Sequence, residues 1–232
     1  MEYLIYNSAI AVVEFIYTIF IVFLMDAFVK RHMISRDMSR KIVHLWAGGL
    51  IIFWFLFTGP IQIQKYFFSI TPLLWVFLLL YTAFAKGPND PTVVSMTRTG
   101  NPKELLFGTL FFPIMFIIIT FISFRDLAGI TAISMMAFGD GVAPIVGKYA
   151  RLHYLHNRKS VEGSISVFLG GLLGTLIFAA VAGINIYANM YIILVAALLA
   201  TITEAITPSN YDNITVPVVA LAVIWAAALI LT

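Results

Sequence analysis

Residues 105–123, LLFGTLFFPIMFIIITFIS, contain no charged side chain and are long enough to cross the hydrocarbon core of a bilayer as a helix. The rest of the chain has a similar composition, since 61% of the 232 residues are hydrophobic, 11% are charged and the mean hydropathy is +0.98. In a soluble domain about a quarter of the residues would be charged. The sequence therefore predicts an all-α, polytopic integral membrane protein.

Further apolar runs of spanning length lie on both sides of this stretch. Together they give about eight predicted transmembrane helices, at 8–29, 42–58, 67–85, 105–123, 127–146, 165–182, 187–206 and 214–231. Because eight spans with short loops use nearly the whole chain, we predict a single transmembrane domain over residues 1–232.

The basic residues are distributed unevenly over the loops. All but two of the 14 lysines and arginines fall in alternate loops, which the positive-inside rule places in the cytoplasm, with both termini outside. This distribution accounts for the pI of about 9.1, so we expect a lipid bilayer and no nucleic acid as a partner. The chain has no cysteine, which excludes disulfides and thiolate metal sites. Together with the many isoleucines, this favours the cell membrane of a microbe.

The fifth predicted span is interrupted by Gly139-Asp140-Gly141, with Pro144 close behind. We predict that helix five is broken at this point. Irregular backbone at membrane depth is tolerated where it lines a buried or watered cavity, so the break indicates a site.

Three other features predict how the helices pack. Pro72 and Pro113 are expected to kink helices three and four. The small residues Gly170, Gly171 and Gly174 predict a close helix crossing in span six.

Polar clusters stand at the starts of the even-numbered helices. In the predicted topology these starts lie at the cytoplasmic face and present free N–H groups and positive dipole ends. The clusters are Ser39–His44, Asn101–Glu104, Lys159–Ser164 and Tyr211–Pro217. The odd-numbered helices bring Asp140 and Glu204 to the same level. Lysine, arginine and N–H groups neutralise phosphate oxygens and carboxylates hold a metal, so the set fits a polyphosphate with a divalent cation.

Plainer interpretations of these polar residues stay open. Each cluster, taken singly, is also explained as a helix cap with interfacial cations. In the Asn101 cluster, for example, Asn101 is expected to cap the helix and Glu104 to complete a capping box. Glu14, deep inside span one, is explained equally well by a structural hydrogen bond to another helix. Asp26 and Lys30 are expected to form an i,i+4 pair.

Several motifs, taken in order, resemble those of the polyprenol kinase group, which includes dolichol kinase, phytol kinase and a CTP-dependent diacylglycerol kinase. The matching residues are Arg40-Lys41-x-x-His44, Glu104-Leu105-x-x-Gly108, Gly139-Asp140-Gly141-x-Ala143-x-x-x-Gly147, Lys159-Ser160-x-Glu162-Gly163-Ser164, Thr203-Glu204 and Asp212-Asn213-x-x-Val216-Pro217. They span residues 40–217, about three quarters of the chain. The chain is short for this group and lacks the extra amino-terminal spans of eukaryotic dolichol kinases.

The resemblance implies a transmembrane kinase with its active site on the cytoplasmic side. It would transfer the terminal phosphate of a nucleoside triphosphate, typically CTP, to a long-chain isoprenoid alcohol such as geranylgeraniol, phytol, a polyprenol or dolichol, or to another lipid alcohol. The nucleotide-binding residues would be Arg40, Lys41, Gly139, Gly141, Lys159, Ser160, Glu162, Gly163 and Ser164. Catalysis would consist mostly of positioning and charge neutralisation.

The acids and their neighbours would complete this site. We expect Asp140 and Asp212 to ligate Mg²⁺ or another divalent cation, with Asn213 orienting a ligand or capping helix eight. Glu204 or His44 would take the proton of the alcohol, and Glu204 is preferred because the pKa of a buried carboxylate can be tuned towards neutrality. The remaining motif residues, assigned to the substrate side or to structure, are Glu104, Gly108 and Pro217.

Three alternatives to an isoprenoid alcohol kinase remain. The first is a diacylglycerol kinase of the same group. The second is a cytidylyltransferase acting on a lipid phosphate, although its long basic-acidic carboxy-terminal signature is missing. The third is a transporter, which the broken helix permits but which the absence of a visible inverted repeat disfavours.

Overall fold

The computed structural model describes residues 2–147, 159–208 and 210–231, and every regular element in these ranges is helical. The predicted all-α fold is therefore confirmed. Lys148, Arg151 and Arg158, which the sequence placed in a basic loop, lie outside the described residues, and so do the side chains of Ala143 and Pro144. The chain divides into two compact units, residues 1–121 and 122–232.

Six helices in the described ranges are long and apolar enough to cross a membrane. They are Glu2–Lys30, Ile61–Ala85, Pro102–Ile122, Val161–Val181, Ile186–Ile206 and Asp212–Ile230. Predicted spans two and five are not among the six and change helix type within their length, so the count of eight is not reproduced. The exposed face of Val161–Val181 is apolar, with Ile165, Leu169 and Leu173 each more than half exposed. Such faces suit lipid and not water, as expected of an integral membrane protein.

The first unit contains five α-helices and two 3₁₀ segments. The α-helices are α1 (Glu2–Lys30), α2 (Arg36–Gly48), α3 (Ile61–Ala85), α4 (Pro91–Met96) and α5 (Phe111–Ile122). A 3₁₀ segment, Gly49–Phe55, continues α2, and a second, Pro102–Leu106, precedes α5. Val22 of α1, Val43 of α2 and Leu79 of α3 meet in one buried apolar cluster, which holds these helices together.

One expectation for the first unit is corrected by the structure, and one helix was not predicted. Helix four is interrupted at Gly108, whose φ of 82° only glycine adopts easily, and not kinked at Pro113. Pro113 lies in the first turn of α5, where an N–H group would have no acceptor within the helix, so the proline costs no hydrogen bond. The sequence also gave no indication of α4, whose start is capped by the Asp90 side chain accepting from the N–H of Thr92.

In the described residues of the second unit there are five further α-helices. They are α6 (Leu127–Ser134), α7 (Asp140–Gly147), α8 (Val161–Val181), α9 (Ile186–Ile206) and α10 (Asp212–Leu231). Side-chain caps fix three of the starts, because Asp126, Ser160 and Asn185 accept from the N–H groups of the first turns of α6, α8 and α9.

The predicted break in helix five has a different form in the structure. The chain stays helical, but Met135–Gly139 forms a π-helical turn between α6 and α7. The irregularity therefore begins one turn before the predicted Gly139-Asp140-Gly141, and Asp140 is the first residue after it. A π turn is a recognised form of local helix distortion and is frequent at functional sites.

Candidate active site

Three buried carboxylates converge within the second unit. Asp140, Glu204 and Asp212 each offer a ligand oxygen, and these oxygens all lie within 4.8 Å of one another. The three residues are only 6%, 4% and 3% exposed. We call this group the acid triad. Its donors are all oxygen atoms, which is the chemistry that Mg²⁺ and other hard divalent cations prefer.

The π turn and α8 fix the position of Asp140. A Cβ at Gly170 would lie 2.7 Å from the carbonyl oxygen of Phe138, and a Cβ at Gly171 would overlap the sulfur of Met135. Only glycine lets the π turn pack this closely on α8, so the predicted close crossing of span six is confirmed. Gly139 contributes from the other side, because a Cβ there would lie 3.0 Å from the carbonyl oxygen of Val167.

A short connection brings Glu204 and Asp212 together, since α9 ends at Ile206 and α10 begins at Asp212. The Thr207 N–H bonds to the carbonyls of Thr203 and Glu204 and closes the end of α9. The Thr215 hydroxyl donates to the carbonyl of Tyr211 and lies 3.2 Å from the hydroxyl of Thr207, which ties the two helix ends together.

Lys159 contacts the acid triad directly. Its ammonium nitrogen lies 2.7 Å from Oε1 of Glu204 and 4.0 Å from Oδ2 of Asp212, and it also donates to the backbone carbonyl of Glu204. Its side chain is only 12% exposed. The sequence placed Lys159 at the nucleotide, and nothing in its motif indicated this contact with the acids.

The start of α8 follows Lys159 immediately. The Ser160 hydroxyl accepts from the N–H of Gly163 at 3.1 Å and caps the helix, with Glu162 in its first turn. The hydroxyl oxygen of Ser164 is shielded from water and has no hydrogen-bond partner within the part of the chain that the structure describes. Buried hydroxyls are normally paired, so this atom is available to a bound group.

The start of α10 adds two predicted residues. Oδ1 of Asp212 accepts from the N–H of Asn213 at 3.0 Å, which orients the Asp212 carboxylate. Pro217 lies inside the same helix and has no N–H to offer the carbonyl of Asn213, four residues earlier.

The donor set fits a divalent cation. Three carboxylates and one ammonium group carry a formal charge of −2 when ionised, which a divalent ion balances. Burial keeps water from screening this charge, and oxygen ligands on three helix ends form a compact cage. The residues present are therefore suited to a divalent metal ion.

Three predicted residues lie on α2 in the first unit. Arg40 forms an ion pair of 3.5 Å with Asp37, and Asp37 also lies 3.4 Å from Arg98. Lys41 is buried, and the ring of His44 packs on Phe112 with a centroid distance of 4.5 Å. Asp37 was not singled out in the sequence, although its i,i+3 spacing from Arg40 was a usable signal.

Glu104 organises a loop of the first unit. Its carboxylate accepts from the backbone N–H groups of Arg98 at 2.8 Å and Thr99 at 3.1 Å, and from the Thr99 hydroxyl. Asn101 caps the following 3₁₀ segment by accepting from the N–H of Lys103, as the sequence predicted. The contacts of Glu104 give this residue a structural task, and Gly108 supplies the sharp backbone turn that follows.

Comparison with known proteins finds plant relatives over most of the chain. The chain is 35% identical over 218 residues to "Probable phytol kinase 1, chloroplastic" of Oryza sativa subsp. japonica, which covers 88% of this chain and 68% of that protein. It is 32% identical over 216 residues to "Phytol kinase 1, chloroplastic" of Arabidopsis thaliana, covering 88% and 70%. It is 33% identical over 210 residues to "Probable phytol kinase, chloroplastic" of Zea mays, covering 85% and 69%.

Two further comparisons give no match. No protein-family model matches the sequence, and no solved structure matches the chain. The plant relatives are chloroplastic, so they do not support the expected microbial cell membrane.

Proposed function

This chain belongs to the polyprenol kinase group, as its phytol kinase relatives show, and we propose that it phosphorylates phytol or a closely similar isoprenoid alcohol with CTP. Membership makes it a phosphotransferase with an alcohol acceptor, and more narrowly a lipid kinase acting on an isoprenoid alcohol. The identity of the alcohol and the use of CTP belong to the proposal. So does the assignment of residues 1–232 to one catalytic domain.

The observation that carries the proposal is the convergence of Asp140, Glu204 and Asp212 beside Lys159. Asp140 and Asp212 would hold the divalent cation, and Asn213 would orient the Asp212 carboxylate. When bound, Mg²⁺ supplies charge neutralisation for the phosphate oxygens and orients the terminal phosphate. Buried acids at the ends of membrane helices are costly to keep, which favours a functional role over a structural one.

The start of α8 would bind the phosphates of the nucleotide. Its N–H groups and positive dipole end attract anions, and the Ser164 hydroxyl offers an additional donor. Glu162 and Gly163 belong to the same first turn. Gly139 and Gly141 flank Asp140 and would let the nucleotide approach the backbone closely. On the sequence resemblance, Arg40 and Lys41 of the first unit are assigned to the triphosphate as well.

Glu204 is proposed as the base that accepts the proton of the alcohol. Its carboxylate belongs to the acid triad, where the hydroxyl of an alcohol placed beside the terminal phosphate would reach it. His44 is the second choice, and its ring is packed against Phe112. The apolar tail of the acceptor would lie in the bilayer, with its hydroxyl at the polar helix ends on the cytoplasmic side.

The test is a transfer assay with detergent-purified protein, Mg²⁺ and CTP or ATP labelled on the terminal phosphate. Phytol, geranylgeraniol, a polyprenol and diacylglycerol would be supplied separately. We expect label from CTP in phytyl or geranylgeranyl monophosphate. The Asp140→Asn variant serves as the inactive control, and near-normal activity in a folded Asp140→Asn protein would refute the assignment of Asp140.

Other products would identify the alternatives. Label in phosphatidic acid alone would indicate a diacylglycerol kinase. When a lipid phosphate is supplied, labelled pyrophosphate together with a CDP-lipid would indicate a cytidylyltransferase. Uptake into proteoliposomes without nucleotide turnover would indicate a transporter.

A further inference from the structure

Lys159 is in direct contact with the acid triad, although its predicted role is to bind the phosphates of the nucleotide. The Lys159 ammonium group donates to both the side chain and the backbone carbonyl of Glu204, and it lies 4.0 Å from Asp212. Both acids belong to the acid triad, and Asp212 is one of the two proposed ligands of the divalent cation. The lysine therefore occupies acceptor oxygens of the acid triad, around the position that a cation would take.

Charge repulsion makes the two occupants of the cage competitors. An ion held by Asp140 and Asp212 would lie next to Oε1 of Glu204, because the ligand oxygens of the acid triad are all within 4.8 Å of one another. The Lys159 nitrogen is 2.7 Å from the same oxygen. A divalent ion and an ammonium group this close repel each other strongly in a site so shielded from water. Filling the cage therefore favours movement of the Lys159 side chain away from the acids.

The terminal phosphates of the nucleotide are the natural acceptor for the displaced ammonium group. Lys159 directly precedes Ser160 and the start of α8, which the proposed function assigns to phosphate binding. A lysine side chain has four flexible bonds and three donors, so it can exchange a carboxylate for a phosphate without movement of the helix.

We infer that Lys159 is a positioning residue that holds the acid triad together in the absence of the divalent cation and transfers to the nucleotide phosphates when the cation binds. Cation and nucleotide thereby favour each other's binding, because each removes a cost of binding the other. This inference rests on the metal site of the proposed function. It gives Lys159 the acid triad as a second partner, which the nucleotide-binding motif does not indicate.

Direct metal binding tests the inference without use of the kinase activity. Mn²⁺ binding to purified protein would be measured by electron paramagnetic resonance for wild type, Lys159→Gln and Lys159→Arg, without nucleotide. We expect Lys159→Gln to bind Mn²⁺ at least tenfold more tightly than wild type because the competing charge is gone. Lys159→Arg keeps the charge and should stay within about threefold of wild type.

A second arm adds a non-hydrolysable CTP analogue, with correction for Mn²⁺ bound to the analogue in solution. The gain in Mn²⁺ affinity should be at least tenfold larger in wild type than in Lys159→Gln, since the variant has no ammonium group to transfer. Equal gains, or weaker Mn²⁺ binding by Lys159→Gln, would overturn the inference and leave the kinase assignment intact. Absence of Mn²⁺ binding in all three proteins would refute the metal site itself.

A wild-type measurement covers the case in which Lys159→Gln fails to fold. Reductive methylation of lysines, quantified by mass spectrometry, reports how freely each ammonium group meets the reagent. Labelling of Lys159 should rise at least threefold with Mn²⁺ alone and fall again when the CTP analogue is added. The exposed Lys103 serves as the reference lysine and should not change. An unchanged Lys159 rate under all conditions would overturn the inference.

Discussion

Two glutamates are buried in this protein in different chemical settings. Glu14 lies in the middle of α1 and is fully buried, with Thr71 of α3 facing it but no hydrogen bond of normal geometry between them. Glu204 lies near the end of α9, where Lys159 and two aspartates surround it. Within the described ranges, an ion pair is found for Glu204 and none is found for Glu14.

The comparison shows that burial of an acid does not by itself indicate catalysis. An isolated acid at membrane depth beside a hydroxyl group suits a structural hydrogen bond between helices. An acid at a helix end, with a cation and further carboxylates, is suited to a metal and phosphates. The same one-atom change, Glu→Gln, should therefore cause a large loss of activity at Glu204 and little change at Glu14.

The largest effect is expected for Glu204→Gln. The amide removes one charge from the acid triad and cannot accept a proton from the alcohol, so phosphate transfer should fall at least about 100-fold. Mn²⁺ binding should weaken in parallel. Transfer of label from CTP to the lipid alcohol measures the first effect, and electron paramagnetic resonance measures the second. Activity within a few-fold of wild type would remove Glu204 from the site.

Gly170→Ala should have the next largest effect because it displaces the π turn from α8. The new Cβ would lie 2.7 Å from the backbone oxygen of Phe138, and a backbone atom cannot move aside cheaply. We expect a loss of about 1–3 kcal/mol in unfolding free energy. Transfer activity should fall about tenfold, because small misplacements of catalytic groups are costly.

Gly87→Ala is the matched control for Gly170→Ala. A Cβ at Gly87 would meet nothing within 4 Å, so stability and activity should stay near wild type. Thermal unfolding in detergent and the transfer assay compare the two variants. Equal stability of the two alanine variants would show that the close packing at Gly170 has no energetic weight.

Glu104→Ala should have a smaller effect, confined to the first unit. It deprives the N–H groups of Arg98 and Thr99 of their acceptor, and a loss of about 1–2 kcal/mol in stability is expected. Glu104→Gln retains one acceptor oxygen and should lose less. Denaturant unfolding measures both variants, with Lys103→Ala as the exposed neighbouring control. If Glu104→Ala left the free energy of unfolding unchanged, the structural role assigned to this residue would be wrong.

Glu14→Gln should have the smallest effect. A neutral amide of the same shape fits the same buried position facing Thr71, so transfer activity should stay within about threefold of wild type and stability within about 1 kcal/mol. The same assays used for Glu204→Gln apply. A large loss of activity with intact stability would give Glu14 a chemical role and abolish the contrast between the two glutamates.

Much of the fold could be predicted from the sequence because lipid imposes simple rules on helices. Length and apolarity located the segments that became α3, α8, α9 and α10, and the capping residue Asn101 marked a real start. The π turn, α4 and the interruption at Gly108 were not predicted. Each depends on tertiary contacts or local backbone geometry, which hydropathy does not encode.

The acid triad was also accessible from the sequence, since charge bias and helix direction placed Asp140, Glu204 and Asp212 at one level of the membrane. The contact of Lys159 with Glu204 was not accessible. A lysine in a phosphate-binding motif is equally compatible with either partner, and only the three-dimensional positions distinguish them. Roles for Arg40, Lys41 and His44 remain predictions from the motif.

The π turn at Met135–Gly139 has a genetic consequence. A π turn contains one residue more than an α-helical turn. It is therefore equivalent to the insertion of one codon into an otherwise regular helix. Deleting a codon within it would restore the α-helical ladder and rotate Asp140 by about 100° about the helix axis relative to α6. The insertion or deletion of one codon therefore decides whether this segment is a regular membrane helix or a helix that orients Asp140 as observed.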